Sequence, residues 1–348
     1  MTDLFSPLRA GDLSLKNRIV MAPLTRTRAP GRLPTPLMAE YYRQRATAGL
    51  IISEATVVSP RAAGYADTPG IWSAGQVDAW KPVTRAVHEA GGCIVMQLWH
   101  VGRISHPSLL DGQLPLAPSA IAPKGHVSLI RPETAYVVPH AMTHDEIAEV
   151  VAQFRQGAAN AQAAGFDGVE LHGANGYLLD QFLQDASNRR DDEYGGNIAN
   201  RARLLLECTD AAISVWGAGR VGVHLSPRGD AHDMGDSDPL ATFGHVADEL
   251  GRRRIAFVCA RERQGEDSIG PRLKARFGGS WIANEGFDAA SGNAAIAAGQ
   301  ADAVAYGKPF ISNPDLPRRF REQAALNPPD FGTFYGQGPR GYTDYPAL

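Results

Sequence analysis

Only three cysteines, Cys93, Cys208 and Cys259, occur in 348 residues, with no Cys-x-x-Cys pair among them. That leaves neither a disulfide framework nor a thiolate metal site, and reads as a reduced, cytoplasmic chain with no bound metal. The start, Met1-Thr-Asp-Leu-Phe-Ser-Pro7, lacks a basic segment followed by an apolar one, and no apolar run is long enough to span a bilayer. The chain therefore reads as neither secreted nor membrane-inserted. A formal net charge of −3 without a Lys/Arg run argues against nucleic acid or an anionic membrane as partner. No Gly-x-Gly-x-x-Gly opens a helix after the first strand, so the dinucleotide fingerprint of a doubly wound sheet is missing. What is left is a chain, 44% apolar, that can bury one large core and serve a small molecule.

Short β-rich runs alternate with longer helical patterns, the signature of βα units and a parallel sheet. Eight strands are expected: Arg18–Ala22, Leu50–Glu54, Cys93–Leu98, Gly168–Leu171, Val221–Leu225, Ile255–Cys259, Trp281–Asn284 and Ala303–Tyr306. Most are apolar throughout, as strands covered on both faces should be. Thr35-Pro36 and the capping box Thr143-His-Asp-Glu146 start helices, and Gly49, Gly91, Gly165 and Gly299 end helical runs before the next strand. Eight such units predict an α/β fold, one (β/α)8 TIM barrel over residues 1–348, with its site at the C-terminal ends of the strands. A Pro- and Gly-rich insertion after strand three, Trp99–Met142, is expected to cap that site. The aromatic tail Phe331–Gly338 is expected to fold back on the barrel.

The most informative segment is His172-Gly-Ala-Asn-Gly-Tyr177, following the run Phe166–Leu171. His172 and Asn175 can grip an oxygen, and the phenol of Tyr177 comes two residues later on a glycine-punctuated turn. A plain alternative is a turn with an Asx-type cap for a helix starting near Leu178. In a barrel, polar groups converge on one mouth from seven of the eight strands: Pro23-Leu-Thr25, Ala55-Thr56, Gln97 with Trp99 and His100, the His172 motif, His224-Leu-Ser-Pro-Arg228, Asn284-Glu-Gly286 and Gly307-Lys308. Gly286 and Gly307 let backbone N–H groups approach an anion, and Lys308 adds a charge, so the last two turns read as a phosphate site. Either glycine is equally explained by sterics alone.

Taken in order, Asn17-Arg-Ile-Val-Met-Ala-Pro-Leu-Thr-Arg26, Ser53-Glu-Ala-Thr56, Gln97–Arg103, Leu171–Leu183, Ser187-Asn-Arg-Arg190, Tyr194-Gly-Gly196, Asn313-Pro-Asp-Leu316 and Phe334-Tyr-Gly336 resemble the Old Yellow Enzymes, FMN-dependent ene-reductases. The resemblance covers nearly the whole chain. It implies FMN, reduced by NADPH or NADH, and hydride passed from flavin N5 to the β-carbon of an alkene conjugated to a carbonyl or nitro group. Nitrate esters belong to the same substrate range. It further implies that Pro23, Leu24 and Thr25 flank the flavin, that Ala55 covers it, and that Gln97 bonds its pyrimidine edge. Asn284, Gly286, Gly307 and Lys308 would hold the rest of the cofactor. His172 and Asn175 match the clamp on the substrate oxygen and Tyr177 the proton donor to the α-carbon. Tyr65, Trp99 and Tyr335 match aromatic positions around the substrate. The resemblance leaves a monomer or a weak homodimer as the assembly.

Two positions depart from that pattern. His224 stands where the family carries an Arg facing the flavin pyrimidine, with Arg228 as an alternative cation, and Lys308 stands where an Arg grips phosphate. Both soften flavin contacts, which keeps a flavin carrier or sensor as a rival function. Other FMN barrels and phosphosugar aldolases are disfavoured, because no base, Cys or Schiff-base Lys stands beside the His172 motif. The polar run Arg228–Asp238 reads as a solvated loop.

Overall fold

The computed structural model describes residues 2–348. Eight parallel strands close on themselves: β1 Ile19–Met21, β2 Leu50–Ile52, β3 Ile94–Trp99, β4 Gly168–Gly173, β5 Val221–Leu225, β6 Phe257–Arg261, β7 Ser280–Asn284 and β8 Ala303–Tyr306, with β8 paired to β1 and β2 to β3. Eight helices cover the outside, α1 Pro36–Gln44, α2 Ala74–Glu89, α3 His144–Ala163, α4 Ile198–Trp216, α5 Pro239–Arg253, α6 Gly270–Phe277, α7 Ala289–Ala297 and α8 Leu316–Glu322. This is the expected (β/α)8 barrel. Strand alternation divides the apolar residues into two cores. Val20, Leu50, Ile52, Val95, Phe257, Cys259, Ile282 and Ala305 fill the barrel, whereas Ile19, Met21, Ile51, Met96, Val169, Val258 and Val304 pack beneath the helices.

Two departures from the expected boundaries matter for the site. β4 runs to Gly173, so His172 is a strand residue, because pairing with β5 continues through His224↔His172 and Leu225↔Gly173. β6 starts two residues late and runs to Arg261, because β7 holds it in register through Arg261↔Asn284. The apolar run at 255–259 hid that extension. The antiparallel hairpin Leu8–Ala10/Leu13–Leu15, unread in the sequence, joins the inner core through Ala10, Leu13 and Leu15.

Thr35 and Thr143 cap α1 and α3 as expected, Thr143 through a complete capping box. Gly91, Gly165 and Gly299 take left-handed φ values of 72°, 83° and 69°. Gly49 does not; a Cβ there would lie 2.0 Å from the Asn17 carbonyl oxygen, so close chain approach requires it. Residues 100–143 form an excursion in which Leu116–Ala117 pairs with His140–Ala141. With Tyr65, His232 and Tyr335, its residues His126, Ser128, Leu129 and Arg131 line a hollow of about 390 Å3.

The tail returns to the barrel. Arg26 and Arg28, both buried, donate to the carbonyls of Thr333, Phe334, Gly338, Arg340 and Gly341, and Tyr342 stacks on Tyr41 at 4.0 Å between ring centroids. Glu54 lies at this junction, accepting from the Arg26 N–H and the Tyr42 hydroxyl. Burial raises its carboxyl to about 7 despite those donors. Below the ordinary carboxyl value the group is neutral in folded and unfolded chains alike. From there to about pH 7 the unfolded chain releases its proton and the folded chain keeps it, so stability falls as pH rises across that window. The decline is at most about 3.5 kcal/mol, at about 1.4 kcal/mol per pH unit. Glu54→Gln is expected to flatten it, read as the difference in urea midpoint between pH 5 and pH 8; equal pH dependence in both proteins would refute the assignment.

Candidate active site

Residues paired in register on parallel strands face the same side of the sheet. His172 on β4 and His224 on β5 are such a pair, their ring centroids 5.7 Å apart. They share a cavity of about 770 Å3 with Pro23 and Leu24 after β1, Asn175 after β4, Arg261 on β6, Asn284 to Phe287 at β7, Gly307 and Lys308 after β8, and Tyr335 of the tail. Ten of the residues singled out in the sequence thus meet in one space. Tyr335 is half exposed at its rim. A second cavity, about 380 Å3, opens near Glu262 and Trp281 and shares only Asn284 with the sequence-predicted set.

The others lie around that space rather than on its wall. Trp99 is fully buried, with Tyr65 stacked at 5.5 Å and Tyr177 edge-on at 4.9 Å; Tyr177 in turn meets the His172 ring at 4.9 Å. The Tyr65 and Tyr177 hydroxyls are 3.0 Å apart. Gln97 is buried and donates to Glu170 at 2.7 Å. Thr25 is half-buried and Ala55 buried beyond the ends of β1 and β2. Asn284 spends its Nδ2 on the Ala305 carbonyl at 2.8 Å, which leaves its oxygen as its contribution.

The electrostatics separate the roles. Burial pushes His172 well below its ordinary imidazole value, and His224, Arg261 and His232 add to the effect, so the ring is a neutral donor. Burial likewise holds Tyr177 well above its ordinary value, with Tyr65 reinforcing it, so the phenol keeps its proton. The helix Leu178–Leu183 has Tyr177 at its N-cap without a side-chain cap bond, and Gly176 N–H donates to Asp180 at 2.8 Å. Asn175 is therefore not a helix cap: Asn175 and Gly176 do form a turn, but the Asn175 side chain does not cap the helix that follows.

Beside His172 on the same wall, His224 Nδ1 lies 3.4 Å from Glu170 Oε2 and 3.4 Å from Gln97 Nε2. His224 Nε2, His172 Nδ1 and Glu170 Oε1 are buried without a hydrogen-bond partner among the described residues. Buried polar atoms of this kind call for a ligand. Gly286, held at φ 81°, together with Gly307 and Lys308, offers backbone N–H groups and one ammonium at the far end. The cavity thus suits a molecule with a polar ring edge at one end and an anion at the other. The fold also brings Glu170, His224 and Cys259 ligand atoms within 4.8 Å of one another, a cluster that spacing along the chain could not reveal.

Arg228 is not the substitute cation, because Glu262 at 2.6 Å and Asp267 hold it outside this cavity. Arg261, besides Lys308, is a cation at the wall; sequence reasoning ended its strand at Cys259 and so missed the eighth contributing strand end. The run Arg228–Asp238 is not simply solvated either. His232 Nδ1 meets the Asn175 carbonyl at 2.7 Å, and Asp236 pairs with the buried Arg201 at 3.2 Å, because main-chain groups and arginines elsewhere satisfy its polarity.

Residues 3–327 match the family model described as NADH:flavin oxidoreductase / NADH oxidase. Among curated proteins, 12-oxophytodienoate reductase 1 of Oryza sativa subsp. japonica is 44% identical over 362 residues, covering 99% of this chain and 93% of its own length. The solved Old Yellow Enzyme homologue from Zymomonas mobilis superposes with a TM-score of 0.97 at 45% identity, covering 99% of this chain and 100% of that one. Morphinone reductase in complex with tetrahydroNAD gives 0.97 at 48% identity, covering 100% and 98%.

Proposed function

Because this chain belongs to the NADH:flavin oxidoreductase / NADH oxidase family, and within it to the Old Yellow Enzymes, we propose that His172 and Asn175 polarise an activated alkene for reduction and that Tyr177 completes it with a proton. The protein is an FMN-dependent oxidoreductase that reduces activated C=C bonds with NADPH or NADH. Bound FMN supplies the hydride chemistry, taking hydride from the nicotinamide and delivering it to the alkene β-carbon. The residues fit that cofactor. Gly286, Gly307 and Lys308 would hold its phosphate, Pro23, Leu24, Thr25 and Ala55 would flank the ring, and Gln97, Asn284 and His224 would meet its polar parts, a reading supported by the orphaned buried Nε2 of His224.

Negative charge grows on the carbonyl or nitro oxygen as the β-carbon gains hydride, and preorganised donors act most strongly there. His172 offers a neutral N–H and Asn175 a carboxamide N–H. The α-carbon then takes the Tyr177 proton, which closes the balance of one hydride and one proton per double bond. Tyr65, half-buried and hydrogen-bonded to the Tyr177 hydroxyl, supports a route for restoring that proton. Tyr65, Trp99 and Tyr335 would shape the substrate space.

The observation that carries the reading is the in-register pair His172 and His224 on one cavity wall, with Tyr177 packed against His172. The test is direct. Purified protein is expected to be yellow, to bleach with NADPH or NADH, and to recolour with 2-cyclohexenone; yellow protein inert to both would instead be a flavin carrier.

A single domain over residues 1–348 is supported by one apolar cluster that runs from Leu4 to Tyr342. Three unpaired thiols support a reducing, cytoplasmic location. Among the described residues no helix is long and apolar enough to cross a membrane. Conjugated carbonyl and nitro compounds, and nitrate esters, are the proposed substrate classes, acted on by a monomer or weak homodimer.

A further inference from the structure

Asn175 is held at three of its four polar positions. Its N–H donates to Ser226 Oγ at 2.7 Å, its carbonyl meets His232 Nδ1 at 2.7 Å, and its Oδ1 accepts from Arg261 Nη1 at 2.9 Å. A guanidinium carries donors only, so the group facing it must be the carboxamide oxygen. That decides which way the amide is turned and leaves Nδ2 as the one polar atom of Asn175 without a partner among the described residues. The backbone around it is costly to hold, since Asn175 sits at φ 58°, in the left-handed region.

Arg261 is itself held from the other side. Its Nε lies 3.0 Å from Glu285 Oε2 and its Nη2 3.3 Å from Glu285 Oε1, a two-point grip that fixes the plane of the fork. Glu285 takes φ 94°, a conformation L-residues avoid and that surrounding contacts must enforce. Asn175, Arg261 and Glu285 all line the large cavity, at the ends of β4, β6 and β7. They form a chain of contacts that passes over the end of β5, where His224 stands.

We propose that Arg261 is the positioning residue of the oxygen clamp: anchored by Glu285, it turns the Asn175 carboxamide so that Nδ2 faces the acceptor oxygen of the substrate. The proposal rests on the clamp reading of Asn175 given above. It assigns to strand six a part in substrate recognition, and it predicts that the guanidinium acts through Asn175 rather than on the flavin.

A double-mutant cycle on the FMN-loaded enzyme tests it. Arg261→Ala is expected to raise KM for 2-cyclohexenone about tenfold, and less than twofold when added to Asn175→Ala. Arg261→Lys, which keeps a donor, is expected to recover part of the loss. Flavin content, thermal midpoint and the rate of bleaching by NADPH or NADH are expected to stay near wild type. An equal effect in the Asn175→Ala background, no effect at all, or a loss of flavin matching the loss of activity would each overturn the proposal. An active enzyme in which Asn175→Ala is silent would remove the clamp reading of Asn175 as well.

Discussion

Replacement of His172 by Ala is expected to lower the rate at which 2-cyclohexenone reoxidises the reduced enzyme by about 10²–10³-fold, the usual cost of one donor to a developing oxyanion. Bleaching by NADPH or NADH should change far less, since that step builds no charge on the alkene oxygen. Rapid mixing separates the two half-reactions. Equal slowing of both would mean that His172 serves the cofactor or the fold rather than the substrate. A pH series sharpens the test. Burial and three neighbouring cationic or imidazole groups hold the ring neutral, so the wild-type rate should not rise or fall through the ordinary imidazole range on account of His172.

Tyr177→Phe should act on the other proton. A general acid is worth about 10²–10⁴-fold, and the loss should appear in recolouring by cyclohexenone with little change in flavin content or bleaching. The hydroxyl is held well above its ordinary value, so in the wild type this step should be flat with pH up to 9, the group remaining protonated throughout. A high value keeps the proton in place yet weakens the acid; the α-carbon of an enolate is basic enough to take it. Recolouring at the wild-type rate in Tyr177→Phe would transfer the role to water or another group. Tyr65→Phe, one hydrogen bond further out, should cost only several-fold.

The barrel was legible because eight short apolar runs, nearly all followed by a helical pattern, leave few other topologies. The His172 motif and the β7 and β8 turns were legible for a related reason: strand ends in a parallel barrel share one mouth. What escaped was decided by partners far away in the chain. Arg261 looked like loop because nothing at 255–259 announces the hydrogen bonds that β7 supplies to it. His232 looked solvated because its acceptor, the Asn175 carbonyl, lies 57 residues earlier. The N-terminal hairpin is three residues on each strand, too short for alternation to declare it, and exists because the inner core accepts Ala10, Leu13 and Leu15. His224 was noticed as a missing arginine, but its pairing with Glu170 required register across two strands.

The way Arg26 and Arg28 bind the tail separates path from content. They grip main-chain carbonyls, and Thr27 does the same at Tyr335, so much of the route from Thr333 to Gly341 is fixed through its backbone, while the Phe334 ring against Arg26 and the Gln337 amide on the Thr27 carbonyl add side-chain contacts at two points. Tyr335 projects from that strap onto the rim of the cavity, half exposed and outside both cores. A rim residue held through its own main-chain carbonyl can be exchanged with little penalty to folding. On the role proposed for Tyr335, substrate preference can be retuned there while His172, Asn175 and Tyr177 stay as they are.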